Sequence, residues 1–271
     1  MRFRPAITAA RRSPDDVSRL AGLIESARSM VALTGAGISV PSGIPDFRSP
    51  GTGVWATVDP MEVAHIDVFR RAPARFWAFY GDRFTTLREK LPNAAHQALA
   101  ELERRGLLDA VVTQNIDGLH AAAGSRELVE VHGSIAHASC LECGDRFELA
   151  QVRTRLEADP VGVPRCDCGA ALKPDVVLFG EYLPEAALAR ATALAAGADL
   201  LLCVGSSLEV HPVADLPRIT LEAGGEVALV TMGATPYDRY AAVKLGGDVV
   251  TELTGVLAAL GPVGEGTRHQ V

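Results

Sequence analysis

Six short apolar runs recur along the chain, and each is released into a loop rich in glycine or polar residues. They are Met30–Leu33, Ala110–Thr113, Leu128–Val131, Val176–Phe179, Asp199–Val204 and Glu226–Thr231. Runs that are apolar throughout, without alternation, belong to strands covered on both faces. Strands separated by helices run parallel, through right-handed crossovers. The pattern predicts an α/β, Rossmann-like parallel sheet with helices on both faces, whose ligands gather at the carboxyl ends of the strands. The polar motifs of this chain fall at those ends.

The intervening segments carry helix signals. Ser13-Pro14-Asp15-Asp16 places an N-cap, a proline at the first helical position and two acids at the positive end of the dipole, and Val17, Leu20, Ile24 and Ala27 follow at helical spacing. Val63, Phe69, Phe76, Phe79, Tyr80 and Leu87 predict two helices interrupted near Pro73. Asn93 caps a helix through Arg104 that Gly106 ends, and further helices are expected over Pro184–Ala196 and Pro212–Ala223.

After the first strand comes Gly35-Ala36-Gly37-Ile38-Ser39-Val40-Pro41-Ser42-Gly43-Ile44-Pro45-Asp46-Phe47-Arg48. Glycines here would let backbone N–H groups approach a pyrophosphate, with a tight structural turn as the plain alternative. The ordinary dinucleotide fingerprint is incomplete, because Val40 stands where a third glycine is expected. The continuation, too rich in Gly and Pro for a regular element, reads as a mobile lid.

Five cysteines are present, and four form two close pairs, Cys140-x-x-Cys143 and Cys166-x-Cys168. Without a secretory signal, that spacing favours tetrahedral zinc in a reducing compartment over disulfides. Four thiolates leave no open position, so the metal would be structural and would hold an irregular segment from about Ser139 to Ala171. Cys203, inside an apolar run, reads as a core residue.

Gln114, Asn115, Asp117 and His132 project from the ends of two expected strands. Taken singly, Asn115 and Asp117 could be turn formers and His132 a satisfied loop histidine. Taken together, Thr-Gln-Asn-Ile-Asp-Gly-Leu-His (113–120) and His-Gly-Ser (132–134), with the glycine loop, closely resemble the signatures of the sirtuins, the NAD-dependent protein deacylases. The resemblance covers roughly residues 17 to 260.

It implies cleavage of the nicotinamide–ribose bond as an acyl-lysine carbonyl oxygen attacks the ribose, giving nicotinamide and O-acyl-ADP-ribose. His132 would be the base that takes a proton from a ribose hydroxyl, since imidazole titrates near neutrality. Asn115 would orient the ribose or a water, Asp117 would accept from the nicotinamide amide, and Gln114 would bond the ribose hydroxyls. Phe47 would shield the reactive face, with Asp46 and Arg48 fixing lid and phosphate. Gly35, Ala36, Gly37, Ser39 and Ile116 complete the implied NAD contacts on this side. Gly205, Ser206 and Ser207 resemble the adenosine loop; Thr231, followed by Met232, stands where the family usually has Asn, and Asp248 closes the adenine end. The second cysteine pair is one residue tighter than the family's usual spacing.

Lys173-Pro174-Asp175-Val176-Val177-Leu178-Phe179-Gly180-Glu181 looks like the family's substrate loop. An acylated-lysine protein or peptide would add as a strand between Val177, Phe179, Gly180 and Glu181 on one side and Leu208 and Val210 on the other. Tyr80 and Arg83 lie three apart on an expected helix and so share a face, with Ala64 sixteen residues before Tyr80. This resembles the desuccinylase and demalonylase branch, where a Tyr-x-x-Arg pair grips a carboxylate, so succinyl and malonyl groups are expected beside acetyl. A core tyrosine beside a surface arginine is the alternative reading.

The 271 residues are 48% hydrophobic with a formal net charge of -7, which argues against broad nucleic-acid binding, and no apolar run reaches membrane-spanning length. Residues 1–12, with Arg2, Arg4, Arg11 and Arg12, are expected to be a disordered leader in a cytoplasmic protein, a mitochondrial transit peptide being the alternative. The expected organisation is a Rossmann-like domain over 13–136 and 173–262, an inserted zinc module over 137–172, small-domain helices within 50–90 and a tail over 263–271, as a monomer or weak oligomer. The alternative function in the same pocket is ADP-ribosyl transfer. A non-catalytic NAD-binding protein or an oxidoreductase accounts less well for Asn115, Asp117 and His132.

Overall fold

The structure, a computed structural model, describes residues 14–46, 51, 53–56, 58–87 and 89–262, with Pro14, Ala56 and residues 82–85 described by their backbone alone. Ser13, Phe47, Arg48 and both expected termini lie outside the described residues. Helix α1 (Pro14–Ser26) leads into β1 (Met30–Thr34), and short 3-10 turns carry the chain through the glycine loop. Three helices follow, α2 (Pro60–Val63), α3 (Ile66–Arg71) and α4 (Pro73–Leu87). The sequence pattern predicts two. Pro73 opens α4, and the additional break falls at Ala64–His65, where His65 Nδ1 accepts the Asp67 N–H and starts α3 afresh.

Asn93 caps α5 (Ala94–Arg104) as expected, its side chain accepting the Ala95 N–H at 2.9 Å. Next come β2 (Ala110–Thr113), α6 (Leu119–Ala123), β3 (Leu128–Glu130), β4 (Gly133–Cys140), β5 (Arg146–Glu148), α7 (Leu149–Ala158) and β6 (Leu172–Val176). The chain ends with α8 (Glu185–Gly197), β7 (Leu200–Val204), α9 (Leu216–Glu222), β8 (Glu226–Val230), β9 (Val243–Leu245) and α10 (Val249–Ala259).

Six strands form the parallel sheet in the order β3-β2-β1-β7-β8-β9. Its central strands are buried at every position because both faces are covered. Met30 and Ala32 of β1 face Leu20, Ile24, Leu99, Leu102 and Leu253 from α1, α5 and α10. The alternate residues Val31 and Leu33 face Ala191, Ala195 and Leu216 from α8 and α9. Cys203 belongs to this second layer, where burial pushes its thiol well above the usual range, in keeping with an inert core residue.

One expected strand is placed differently. Val176–Phe179 does not join the parallel sheet: β6 covers Leu172–Val176 and pairs antiparallel with β4 in a separate sheet ordered β5-β4-β6. Its apolar side chains are buried all the same, since Val176 and Leu178 pack with Phe76, Trp77, Ile135 and Phe147. Hydrophobicity alone cannot assign a buried run to one of two sheets. This third core also takes in α4, through Trp77, whose indole N–H donates to the Leu172 carbonyl at 3.0 Å.

Successive connections from β1 move one way along the sheet and those from β7 move the other, so the order reverses between β1 and β7. The loops after these two strands meet there, backbone against backbone. A Cβ on Gly37 would lie 2.7 Å from the Gly205 carbonyl oxygen, and one on Gly35 would lie 2.9 Å from it. Gly205 has φ +60 and its own Cβ position falls on the Ile38 nitrogen. The Gly37 N–H donates to the Gly205 carbonyl at 2.8 Å and the Gly35 N–H to Val204 at 3.0 Å. These two glycines therefore serve the close approach of two loops, and their N–H groups point at the neighbouring loop. Replacing Gly37 by Ala is expected to lower unfolding free energy by about 1–3 kcal/mol through overpacking, measured by urea denaturation; an unchanged midpoint would mean that the loops separate freely.

Candidate functional site

The crevice at this reversal collects side chains from the ends of β1, β2 and β7. Ser39 Oγ donates to Asp117 Oδ2 at 2.7 Å, and Asp117 Oδ1 accepts the Leu119 N–H at 2.9 Å, starting α6. Asn115 is buried and its Nδ2 donates to the Gly35 carbonyl and to Ser39 Oγ, both at 3.1 Å. Both amide hydrogens are thereby used, so Asn115 presents its oxygen, an acceptor, to anything entering the crevice. Gln114 Nε2 donates to Ser206 Oγ at 2.9 Å, which ties β2 to the loop after β7.

His132 follows β3, with Nδ1 2.9 Å from the Gln114 carbonyl. A carbonyl only accepts, so Nδ1 carries the hydrogen and Nε2 of the neutral ring is the proton-accepting nitrogen. The next residues connect this histidine to the small sheet, because the Val177 N–H donates to the His132 carbonyl at 2.8 Å. Phe179 is tied to the α2–α3 junction: its N–H donates to the Ala64 carbonyl and its own carbonyl accepts the Ile66 N–H, both at 3.0 Å. Ala64, His132, Val177 and Phe179 thus border one edge of the crevice, and Trp55 packs edge-on against Phe179 at 6.3 Å and stacked on Phe79 at 6.3 Å.

On the opposite side, Leu208 holds a left-handed backbone, φ 56, with its N–H bonded to Ser206 Oγ at 3.2 Å. Val210, Ser207 and Ile116 are half-buried, the last with its carbonyl accepting the Ile135 N–H at 3.1 Å. The Glu181 carboxylate is turned inward onto Lys173 and the Leu178 N–H. Tyr80 stacks on Phe76 at 4.6 Å, within the third core. Arg83 lies one turn farther along α4; its side chain is outside the described residues, as are Phe47 and Arg48. Asp46 accepts the Val54 N–H on its carbonyl at 2.9 Å.

Toward the last strands the site loosens. The Thr231 N–H is committed to Leu245, Met232 is exposed, and Asp248 caps α10 by accepting the Thr251 N–H at 3.0 Å. None of these three bonds to the Ser39–Asn115–Asp117 group among the described residues.

Thr34, His96 and His120 support the crevice from beneath, and no role was assigned to them from the sequence. Thr34 Oγ1 donates to Thr113 Oγ1 at 2.8 Å, which in turn accepts the Asn115 N–H at 3.0 Å; His120 Nε2 lies 2.9 Å from Thr34 Oγ1. His96 Nε2 lies 3.4 Å from Ser39 Oγ, and the two imidazoles meet edge to face at 4.9 Å. Burial lowers His96 to about 4, against the pull of Asp117, and burial followed by the neighbouring His96 lowers His120 to about 3. The available signal was position: His96 is the third residue after the cap Asn93, and His120 ends the 113–120 motif.

The four paired cysteines come together as their spacing predicts. Their sulfurs all lie within 4.8 Å of one another, with Cys140–Cys168 at 3.5 Å and Cys143–Cys166 at 3.4 Å. A tetrahedral zinc with bonds of about 2.3 Å needs sulfurs about 3.8 Å apart, so the set fits the ion. Without a metal the thiols split: backbone N–H groups of Cys143 and Glu142 lower Cys140 to about 7, while Cys143 and Cys166 are raised, so it is the geometry of the four sulfurs that fits the ion. The cluster joins β4 to the segment before β6.

Two outcomes follow. A strong chelator is expected to release zinc and loosen β4–β6 while the parallel sheet survives, read as lost near-ultraviolet signal from Trp77 with most far-ultraviolet signal kept; no metal in the purified protein would refute the assignment. Since both buried histidines have folded values below 6.5, their contribution is complete above that pH and falls as acid approaches the folded values. Unfolding at pH 5 should therefore take up protons, with stability dropping by about 1.4 kcal/mol per pH unit for each ring, and His120→Asn should remove its share.

The sequence matches the Sir2 family over residues 35–212. An NAD-dependent protein deacetylase of Sulfolobus acidocaldarius is 45% identical over 227 residues, covering 84% of this chain and 88% of that protein. A solved Sir2 chain with a deacetylated p53 peptide and 3'-O-acetyl ADP ribose superposes with a TM-score of 0.85 at 40% identity, covering 89% of this chain and 97% of the other. Another, with p53 peptide and NAD+, gives 0.81 at 40% identity, covering 89% and 96%. With the glycine loops, the Asn115–Asp117 pair and His132 falling inside the matched region, this chain belongs to the Sir2 family.

Proposed function

We propose that this protein is an NAD-dependent protein-lysine deacylase, with acetyl-lysine as its basal substrate. The observation that carries the reading is the convergence of Ser39, Asn115, Asp117 and His132 in one crevice, bordered by the 177–181 edge where an acyl peptide would dock. Bound in that crevice, NAD supplies an electrophilic ribose carbon and a nicotinamide leaving group. Gly35, Ala36, Gly37 and Ser39 would hold it with Gln114, Asn115, Asp117, Gly205, Ser206 and Ser207. The crevice fits a dinucleotide because it lies at the strand-order reversal and is floored by loops without side chains at Gly35, Gly37 and Gly205.

His132 Nε2 is the proton acceptor, oriented by the Nδ1–H bond to Gln114. Asn115 offers an acceptor to a hydroxyl or water, and Ser39 holds Asp117 in place. The Sulfolobus acidocaldarius relative is named a protein deacetylase, and another solved Sir2 chain, 39% identical, is bound to acetylated peptide, which supports the acetyl reading. Zinc on Cys140, Cys143, Cys166 and Cys168 has no open position and serves the fold.

The finer reading, a preference for succinyl or malonyl groups, rests on Tyr80 and Arg83 sharing a face of α4. Its support is the backbone of α4, which is helical through both positions, with Tyr80 packed beside Phe76 and Phe79.

His132→Ala is expected to lower kcat by about a hundredfold or more on acetyl peptide, as for loss of a general base. Arg83→Met is expected to cut succinyl-lysine turnover about tenfold, since a charged hydrogen bond contributes about 1.5–3 kcal/mol, while acetyl turnover stays close to wild type. Equal loss on both peptides would remove the acid-pocket reading. Nicotinamide release that needs no acyl peptide would move the assignment to ADP-ribosyl transfer.

A further inference from the structure

Lys173 is 8% exposed, and it lies at the root of the segment where the peptide would dock. Its Nζ donates to the Val176 carbonyl at 2.8 Å and to the Pro174 carbonyl at 3.2 Å, and it forms an ion pair with Glu181 Oε2 at 2.9 Å. Two main-chain carbonyls thus take ammonium hydrogens, and the Glu181 carboxylate balances the charge. Glu181 Oε2 also accepts the Leu178 N–H at 2.9 Å, and the Glu181 N–H donates to the Leu178 carbonyl at 3.0 Å. The turn from Val176 to Glu181 is therefore closed on itself around one ion pair whose lysine is buried and whose glutamate is half-buried.

The same turn is anchored outward at two further points, by the Val177 N–H on the His132 carbonyl and by Phe179 on Ala64 and Ile66. Gly180, φ +84, passes so close to His65 that a Cβ would sit 2.6 Å from its Nε2. A short loop with this many committed N–H groups has little conformational freedom left to lose when a strand adds to it. Removing the lysine would leave the half-buried Glu181 carboxylate without its counter-charge and the Val176 carbonyl without its donor, and the turn would loosen.

We propose that Lys173, through Glu181, is a positioning residue for the peptide edge: it shapes residues 177–181 before substrate arrives and so sets acyl-peptide affinity without touching NAD. The inference rests on the deacylase reading for the identity of the ligand, though not for the geometry of the turn.

The test compares the full-length zinc-loaded wild type with Lys173→Met, Lys173→Arg and Glu181→Gln. Lys173→Met is expected to raise KM for acetyl-lysine peptide about tenfold, with kcat and KM for NAD nearly unchanged, the pattern of lost uniform binding. Lys173→Arg, which keeps charge and donors, should restore KM to within about threefold of wild type. Native-state hydrogen exchange should show faster exchange at the Leu178 and Glu181 amides in Lys173→Met. Should that variant not fold, Glu181→Gln carries the test, with a peptide KM raised about threefold and the same amides exposed. A peptide KM equal to wild type in a folded variant overturns the proposal. So does a parallel loss of NAD affinity and melting temperature that Lys173→Arg does not restore, because that is the mark of a merely structural lysine. If the wild type turns over no acyl peptide, the deacylase reading fails, and amide exchange alone then decides whether Lys173 holds the turn.

Discussion

The crevice depends on two loops touching through their backbones. Gly35 and Gly37 after β1 lie against Gly205 after β7, with carbonyl, nitrogen and Cα atoms where Cβ atoms would otherwise stand. This contact occurs where the strand order reverses, the one place in such a sheet where adjacent loops leave toward opposite sides and a cleft opens. It explains the absence of a third glycine better than phosphate approach does. The chain after Gly37 folds into successive 3-10 turns up to Ser42, so no helix packs on the strand at Val40 and no glycine is needed there.

The polar groups above that contact are ordered by hydrogen-bond accounting. Ser39 is placed by Asn115 and Asp117, Asn115 by Gly35 and Thr113, and His132 by the Gln114 carbonyl. Each functional atom is thus reached through a neighbour held by the main chain. The buried His96 and His120 lie behind this set as neutral rings: burial outweighs the pull of Asp117 on His96, and burial and the neighbouring His96 both oppose charge on His120. The 177–181 edge follows the same logic, with Lys173 and Glu181 closing a turn whose backbone also bears on His132.

Much of this was legible in the chain itself. Fully apolar runs such as Leu200–Val204 identified strands covered on both faces, and Asn93 marked a helix start whose cap is observed. The cysteine spacing named the metal cluster, since thiolates at those intervals suit few other purposes. Less legible were β9 and α10, which follow a short glycine loop and lack a distinctive periodic signal. The break between α2 and α3 also escaped, because a histidine cap is an unusual helix start.

Sequence alone determined most of the elements, the four-cysteine cluster and the candidate side chains of the crevice, because these depend on residue type and on spacing over a few positions. Tertiary structure decided which sheet received Leu172–Val176, since an apolar run is satisfied by any core. It also decided that Gly35 and Gly37 serve loop contact, that both amide hydrogens of Asn115 go to Gly35 and Ser39, and that Lys173 ends on Glu181 and two carbonyls. Those are contacts between residues distant in the chain or directions of individual hydrogens, and they exist only after the sheet has brought the glycine loops together.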